Sequence, residues 1–179
     1  RPIRLVFAGK AHPADQPGQS FLRTIYQLST KPEFRGRILL LENYDMEIGA
    51  FMTAGVDVWL NTPRRPMEAS GTSGMKAALN GIPNLSILDG WWAEGYQEDN
   101  GWAIGANQAF EDENAQDDFD AESLYSLLEN ELIPSFYDRD SDGIPTKWLP
   151  IMKRAIETSI WEFSTSRMIQ DYRELVYKR

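Results

Sequence analysis

Apolar positions along this chain fall into short clusters that alternate between two periods. Ile3-Arg4-Leu5-Val6-Phe7-Ala8 is an apolar, β-branched run that stops at Gly9, which predicts a buried strand. After the turn residues from Pro13 to Gly18, Phe21, Leu22, Ile25, Tyr26 and Leu28 fall at helical spacing, with Pro32 beyond the helix end. Arg37-Ile38-Leu39-Leu40-Leu41 predicts a second strand, apolar throughout as in a sheet covered on both faces. A helical stretch from Glu47 to Ala54 then leads through Gly55 to a third strand at Val56-Asp57-Val58-Trp59-Leu60. Strand, helix, strand, helix, strand is the pattern of a parallel α/β sheet with right-handed crossovers; the pattern leaves the strand order open.

Asn61 to Ser70 carries Pro63, Pro66, Arg64 and Arg65 and reads as a loop. Thr72-Ser73 can cap a helix through Met75, Lys76, Ala77, Ala78 and Leu79, stopped at Asn80-Gly81. Asn84-Leu85-Ser86-Ile87-Leu88 predicts a fourth strand, followed by Asp89-Gly90-Trp91-Trp92 and a second stop at Asn100-Gly101-Trp102. Glu111 to Glu122 is acidic and poor in apolar residues, as expected of a solvated connection. Leu124, Leu127, Leu128, Leu132 and Ile133 predict a helix ending at Pro134, with further helices over Leu149–Ile160 and Thr165–Tyr177. No internal repeat is visible.

Composition narrows the chemistry. The 179 residues carry 18 Lys+Arg against 27 Asp+Glu, a net charge of −9 that disfavours nucleic acid and anionic membranes as partners. Without cysteine there is no disulfide, thiol nucleophile or thiolate metal site, and one histidine leaves little room for a zinc centre. No run approaches the ~20 apolar residues of a membrane span, and a secretory leader pattern is lacking, so an intracellular, cytoplasmic protein is expected. The chain opens on Arg1-Pro2 rather than Met, as a piece of something longer would.

Several motifs compete for the chemistry. Asp138-Arg139-Asp140-Ser141-Asp142-Gly143 opens like a calcium loop, but its twelfth position is Leu149 where a bidentate Glu is required, so an Asx-rich turn is expected and no metal site is assigned. Ser73-Gly74-Met75-Lys76 matches S-x-x-K without the companion motifs of serine acylases, and the sequon at Asn84 falls in a predicted buried strand. His12, after the first strand, stands where ligands bind in doubly wound sheets. Trp91-Trp92 suits either a sugar-stacking platform or a core.

The richest segment runs from Arg64 to Lys76. Gly71 and Gly74, with the hydroxyl residues Ser70, Thr72 and Ser73, precede or open a helix, so backbone N–H groups and the helix dipole make an anion site suited to phosphate. Lys76, four residues after Thr72, emerges one turn in on the same face, where an amine neutralises a phosphate or condenses with an aldehyde cofactor. Glu68, just before the turn, is placed to accept hydrogen bonds from a polyol. The spacing is not that of a Walker A loop, and a plain capped helix with a solvated Lys76 stays open on spacing alone.

At this segment the sequence resembles the glycogen/starch/α-glucan phosphorylases. Glu68-Ala69-Ser70-Gly71-Thr72-Ser73-Gly74-Met75-Lys76 is similar to that family's pyridoxal-phosphate motif. Arg64-Arg65-Pro66, Asn80-Gly81 and the run from Asn84 to Trp92 resemble its bacterial and archaeal branch; Gly9-Lys10-Ala11 and Leu41-Glu42-Asn43-Tyr44 fall in family order. The resemblance is strong from Phe7 to Gly105 and weak beyond Asn107. It implies the C-terminal half of a two-domain glycosyltransferase-B-type fold: a Rossmann-like region over 1–110 that binds cofactor and sugar phosphate, and an acidic connection with C-terminal helices of the same domain over 111–179. The implied reaction is phosphorolysis of α-1,4-glucan by inorganic phosphate to α-glucose 1-phosphate.

By the same resemblance Lys76 would hold pyridoxal 5'-phosphate, Thr72 and the amides of Ser73 and Gly74 would cradle phosphates, and Tyr44 would lie near the cofactor. Glu68, Ser70 and the Gly71 amide would hold glucosyl hydroxyls, with Arg64, Arg65 and His12 as further substrate contacts. The family's basic stretch upstream of Gly9-Lys10-Ala11 and its N-terminal domain are absent from this sequence. The chain is therefore expected to be inactive alone, to need that domain as its partner, to bind the cofactor weakly if at all, and to expose a face prone to self-association. The rival readings are a glycogen synthase-like sugar-nucleotide transferase, which has no use for Lys76, and a non-catalytic α-glucan-binding module resting on Trp91-Trp92.

Overall fold

A computed structural model describes residues 1–108 and 110–178. The chain forms two compact units, one over Arg1–Met52 and the other from Thr53 onward. In the first, β1 (Leu5–Ala8) and β2 (Ile38–Leu41) pair in parallel, from Leu5↔Ile38 to Ala8↔Leu41. The crossover between them is α1 (Gln16–Thr30), capped by Asp15, whose carboxylate accepts the Gly18 amide at 2.9 Å. A short 3₁₀ turn (Pro32–Phe34) follows α1, and α2 (Met46–Gly55) follows β2.

The second unit is built on three parallel strands in the order β3 (Trp59–Asn61), β4 (Asn84–Ile87), β5 (Gly101–Ile104). Between β3 and β4 runs α3 (Thr72–Leu79), and between β4 and β5 the short α4 (Trp92–Gly95). Every residue of the central strand β4 is buried. Leu85 and Ile87, opposite Trp102 and Ile104, form one core with Leu132 and Trp148, and each such side chain contributes roughly 1.5–3 kcal/mol on burial. A second cluster joins Ala78, Trp91, Trp92 and Ala155. The tail is helical: α5 (Glu113–Leu127), α6 (Ile133–Tyr137), α7 (Trp148–Ile160) and α8 (Thr165–Asp171). The expected parallel α/β architecture with a C-terminal helical stretch is what the chain adopts.

Several local expectations are corrected. The third strand starts at Trp59 rather than Val56, and β5 was unforeseen because a four-residue strand led by glycine carries too little apolar pattern. Most of the acidic stretch from Glu111 is helix: Asp112 caps α5 by accepting the Asn114 amide at 3.0 Å, and Leu124 and Leu127 at its far end reach the core. That helix does not stop at Pro134. It widens into a π-type turn over Leu128–Leu132 and continues to Tyr137, so the amide that proline lacks is not missed. Trp91 and Trp92 are 4% and 1% exposed, and the Trp92 indole donates to the Trp102 carbonyl at 3.1 Å; they are core, and no sugar platform exists there. The loop after Asp138 is the expected Asx turn, with Asp140 Oδ1 accepting the Asp142 and Ile144 amides.

Candidate functional site

The carboxyl end of β3 and the N-terminus of α3 enclose a cleft of about 410 Å³ lined by residues 59–61 and 68–74. Ligands collect at such strand ends in parallel α/β sheets, because the following helix points its amides there. The helix begins one residue earlier than a Thr-Ser cap requires. Gly71 is the N-cap, at φ +84° and without a side-chain cap bond, and Thr72 is the first helical residue. The helix ends in a Schellman motif at Gly81, with Ile82 N–H donating to Ala77 O and Gly81 N–H to Ala78 O. Gly71 is glycine first for its left-handed backbone, and a Cβ there would in addition stand 3.1 Å from Trp91 Cδ1.

No described residue accepts the backbone amides of Gly71, Thr72 or Ser73, whereas Gly74 N–H already donates to Gly71 O at 3.0 Å. The donors open to an anion are therefore one residue nearer the turn than the Ser73–Gly74 pair implied by resemblance. Gly74 serves packing, since a Cβ would stand 2.6 Å from Asn84 Oδ1 and 2.7 Å from Trp91 Nε1. Asn84 beneath it donates to Gly74 O at 3.1 Å, and burial rules out its formal sequon.

Thr72 and Lys76 share the exposed face of α3, with Gly74, Ala77 and Ala78 on the buried one. Lys76 lies two residues beyond Gly74, the last residue of the cleft lining, and its ammonium has no hydrogen bond or ion pair with any described residue. Glu68 and Ser70 are half-buried in the cleft wall. The loop carrying them is fastened at both ends of this stretch: Glu68 N–H donates to Asp89 Oδ2 at 2.8 Å, and Trp91 N–H donates to Ser70 O at 2.7 Å.

Arg64 and Arg65 are engaged away from the cleft lining. Arg64 forms a fork with Asp117, at 3.1 and 2.6 Å, and a further bond to Glu113; Arg65 donates to Asn107. The Arg64 hydrogen bond lowers the Asp117 carboxyl below its ordinary value, and Asp117 in return raises the guanidinium. Either arginine reaches an anion only by exchanging these partners. His12 and Tyr44 belong to the first unit. His12 follows β1 as expected, exposed, with Nδ1 accepting the Ala14 amide at 3.1 Å, and the Tyr44 hydroxyl lies against Gly49.

Trp59, Leu60 and Asn61 also line the cleft and were missed as site residues; their place at the end of a strand was the available signal. Asp89 was missed as well, since nothing local ties it to a residue 21 positions away.

The family model for carbohydrate phosphorylases matches residues 1–136. The chain is 51% identical to the maltodextrin phosphorylase of Thermococcus litoralis over 180 residues, covering 100% of this chain and 21% of that protein. It is 49% identical to the glycogen phosphorylase of Aquifex aeolicus over 179 residues, covering 100% of this chain and 25% of the other. With the glycogen phosphorylase of Mycobacterium tuberculosis it shares 46% over 177 residues, 99% of this chain and 20% of that one. The chain thus spans a fifth to a quarter of the length of these relatives. The family model's match to residues 1–136, well over half of the chain, shows that this chain belongs to the carbohydrate phosphorylase family.

Proposed function

We propose that this chain is the cofactor-bearing C-terminal part of an α-glucan phosphorylase, in a glycosyltransferase-B-type fold, which cleaves α-1,4-glucan with inorganic phosphate to give α-glucose 1-phosphate. One observation carries the reading: Gly71, Thr72 and Ser73, whose amides have no acceptor among the described residues, line a cleft at the start of the helix that carries Lys76 one turn after Thr72, its ammonium likewise without a partner among them. That donor set fits pyridoxal 5'-phosphate, an anion and an aldehyde in one molecule, with Lys76 to hold it covalently and Thr72 and Ser73 to bind phosphate oxygens. The bound cofactor would supply a phosphate group able to exchange a proton with the substrate phosphate.

The chain's own residues bind and orient. Glu68, Ser70 and the Gly71 amide hold glucosyl hydroxyls, and amides fixed before the reaction begins stabilise developing charge without reorganising. Tyr44 beside the cofactor, and His12, Arg64 and Arg65 at the substrate, complete the set that the resemblance suggests. The partner of this surface is the N-terminal domain of the longer protein. A sugar-nucleotide transferase would leave Lys76 without a role, and a glucan-binding module would need the tryptophan face that is buried here.

The test is phosphorolysis in the longer protein, followed as α-glucose 1-phosphate formed from glycogen and phosphate. Lys76→Ala is expected to abolish it, and the 179-residue chain alone is expected to show none. Full activity in Lys76→Ala contradicts the assignment, and robust turnover by the 179-residue chain contradicts its expected inactivity.

A further inference from the structure

We infer that Asp89 is a positioning residue for this cleft, acting through the backbone of Glu68; the inference rests on the proposed sugar-phosphate role of the site. Asp89 follows β4 and is 8% exposed. One carboxylate oxygen accepts its neighbour's amide, Gly90 N–H at 2.9 Å, which fixes the carboxylate's orientation. The other accepts the Glu68 amide at 2.8 Å, across the gap between two loops. A buried carboxylate shared by two backbone donors is held by charge-assisted bonds, stronger than neutral ones.

Two further features make the joint rigid. Trp91 N–H donates to Ser70 O at 2.7 Å, so the turn after β4 grips the glycine-rich loop two residues further on as well. Gly90, at φ +51°, lets the loops touch: a Cβ there would lie 2.6 Å from Ser70 O and 2.9 Å from Glu68 Cγ. Asp89 and Gly90 therefore set the backbone and the Cγ of Glu68, the one carboxylate in the cleft lining. Small displacements of such a group carry large penalties in binding and rate.

An asparagine at position 89 has only one acceptor oxygen, and its amide group would face an N–H donor. Asp89→Asn is expected to release the Glu68 amide, seen as faster hydrogen exchange at Glu68 with unchanged exchange in β4. In the longer phosphorylase it is expected to raise KM for glucose 1-phosphate about tenfold, with a smaller effect on kcat and on thermal stability. Combined with Glu68→Gln it should add little, because both changes act on one contact. Gly90→Ala, which keeps the carboxylate but pushes the Ser70 carbonyl and Glu68 Cγ away from the turn after β4, should reproduce the KM effect if Asp89→Asn fails to fold.

Unchanged exchange at Glu68 in Asp89→Asn overturns the brace. A KM effect fully additive with Glu68→Gln overturns the route through Glu68. A released Glu68 amide with no KM change in Asp89→Asn overturns the positioning role while leaving the brace. If Lys76→Ala retains activity, the proposed function itself fails, and the exchange result distinguishes that failure from loss of the brace.

Discussion

Gly74 and Gly71 look alike in the sequence but are glycine for different reasons. At Gly74 the helix is regular, and the constraint is a buried neighbour: a Cβ would meet Asn84 and Trp91 inside ordinary contact distance. At Gly71 the constraint is first the backbone, left-handed at φ +84°. Gly71→Ala should therefore cost about 1–2 kcal/mol through conformation, and Gly74→Ala about 1–3 kcal/mol through overpacking, both measured by urea denaturation. Asn84→Ala is expected to relieve part of the Gly74→Ala penalty and none of that at Gly71, a difference read from the double variants. The sequence marks both as a glycine-rich turn. It does not separate them, because Asn84 and Trp91 reach Gly74 only through the fold.

Among the elements, those defined by local pattern were legible and those defined by distant partners were not. The alternation from β1 to β4, and helices α3, α7 and α8, follow from apolar spacing and turn residues within a few positions. Helix α5 was hidden by its polarity, since only one residue over Glu113–Leu127 is buried and its first turns are held by Arg64, from a loop some 50 residues earlier. That clamp gives a pH prediction. Asp117, lowered by its bond to Arg64, adds stability that is present above its unfolded-state value and lost as pH falls through its native one. Asp117→Asn should lower Tm at neutral pH, with the difference closing in acid.

Asp120, one turn on, behaves oppositely: burial, then the charge of Asp117, raises its carboxyl, so its ionised form opposes folding above the raised native value and is relieved below it. Asp120→Asn should raise Tm at neutral pH and lose that advantage in acid. Thermal scans from neutral to acid pH check both signs at once.

For the whole molecule, family membership was legible because the stretch from Glu68 to Lys76 is contiguous, and the structure adds which of its groups remain available. Thr72, Ser73 and Lys76 have unspent donors, while Gly74 and both arginines are already engaged. This donor set lies in a chain that spans about a fifth of the length of these relatives. The most direct test is covalent. The longer protein is treated with pyridoxal 5'-phosphate, reduced with borohydride, digested and mapped by mass spectrometry. The account predicts a single modified lysine, Lys76, with its labelling weakened by competing inorganic phosphate. A reduced cofactor on another lysine of a phosphorolytically active protein, with Lys76 unmodified, would contradict it.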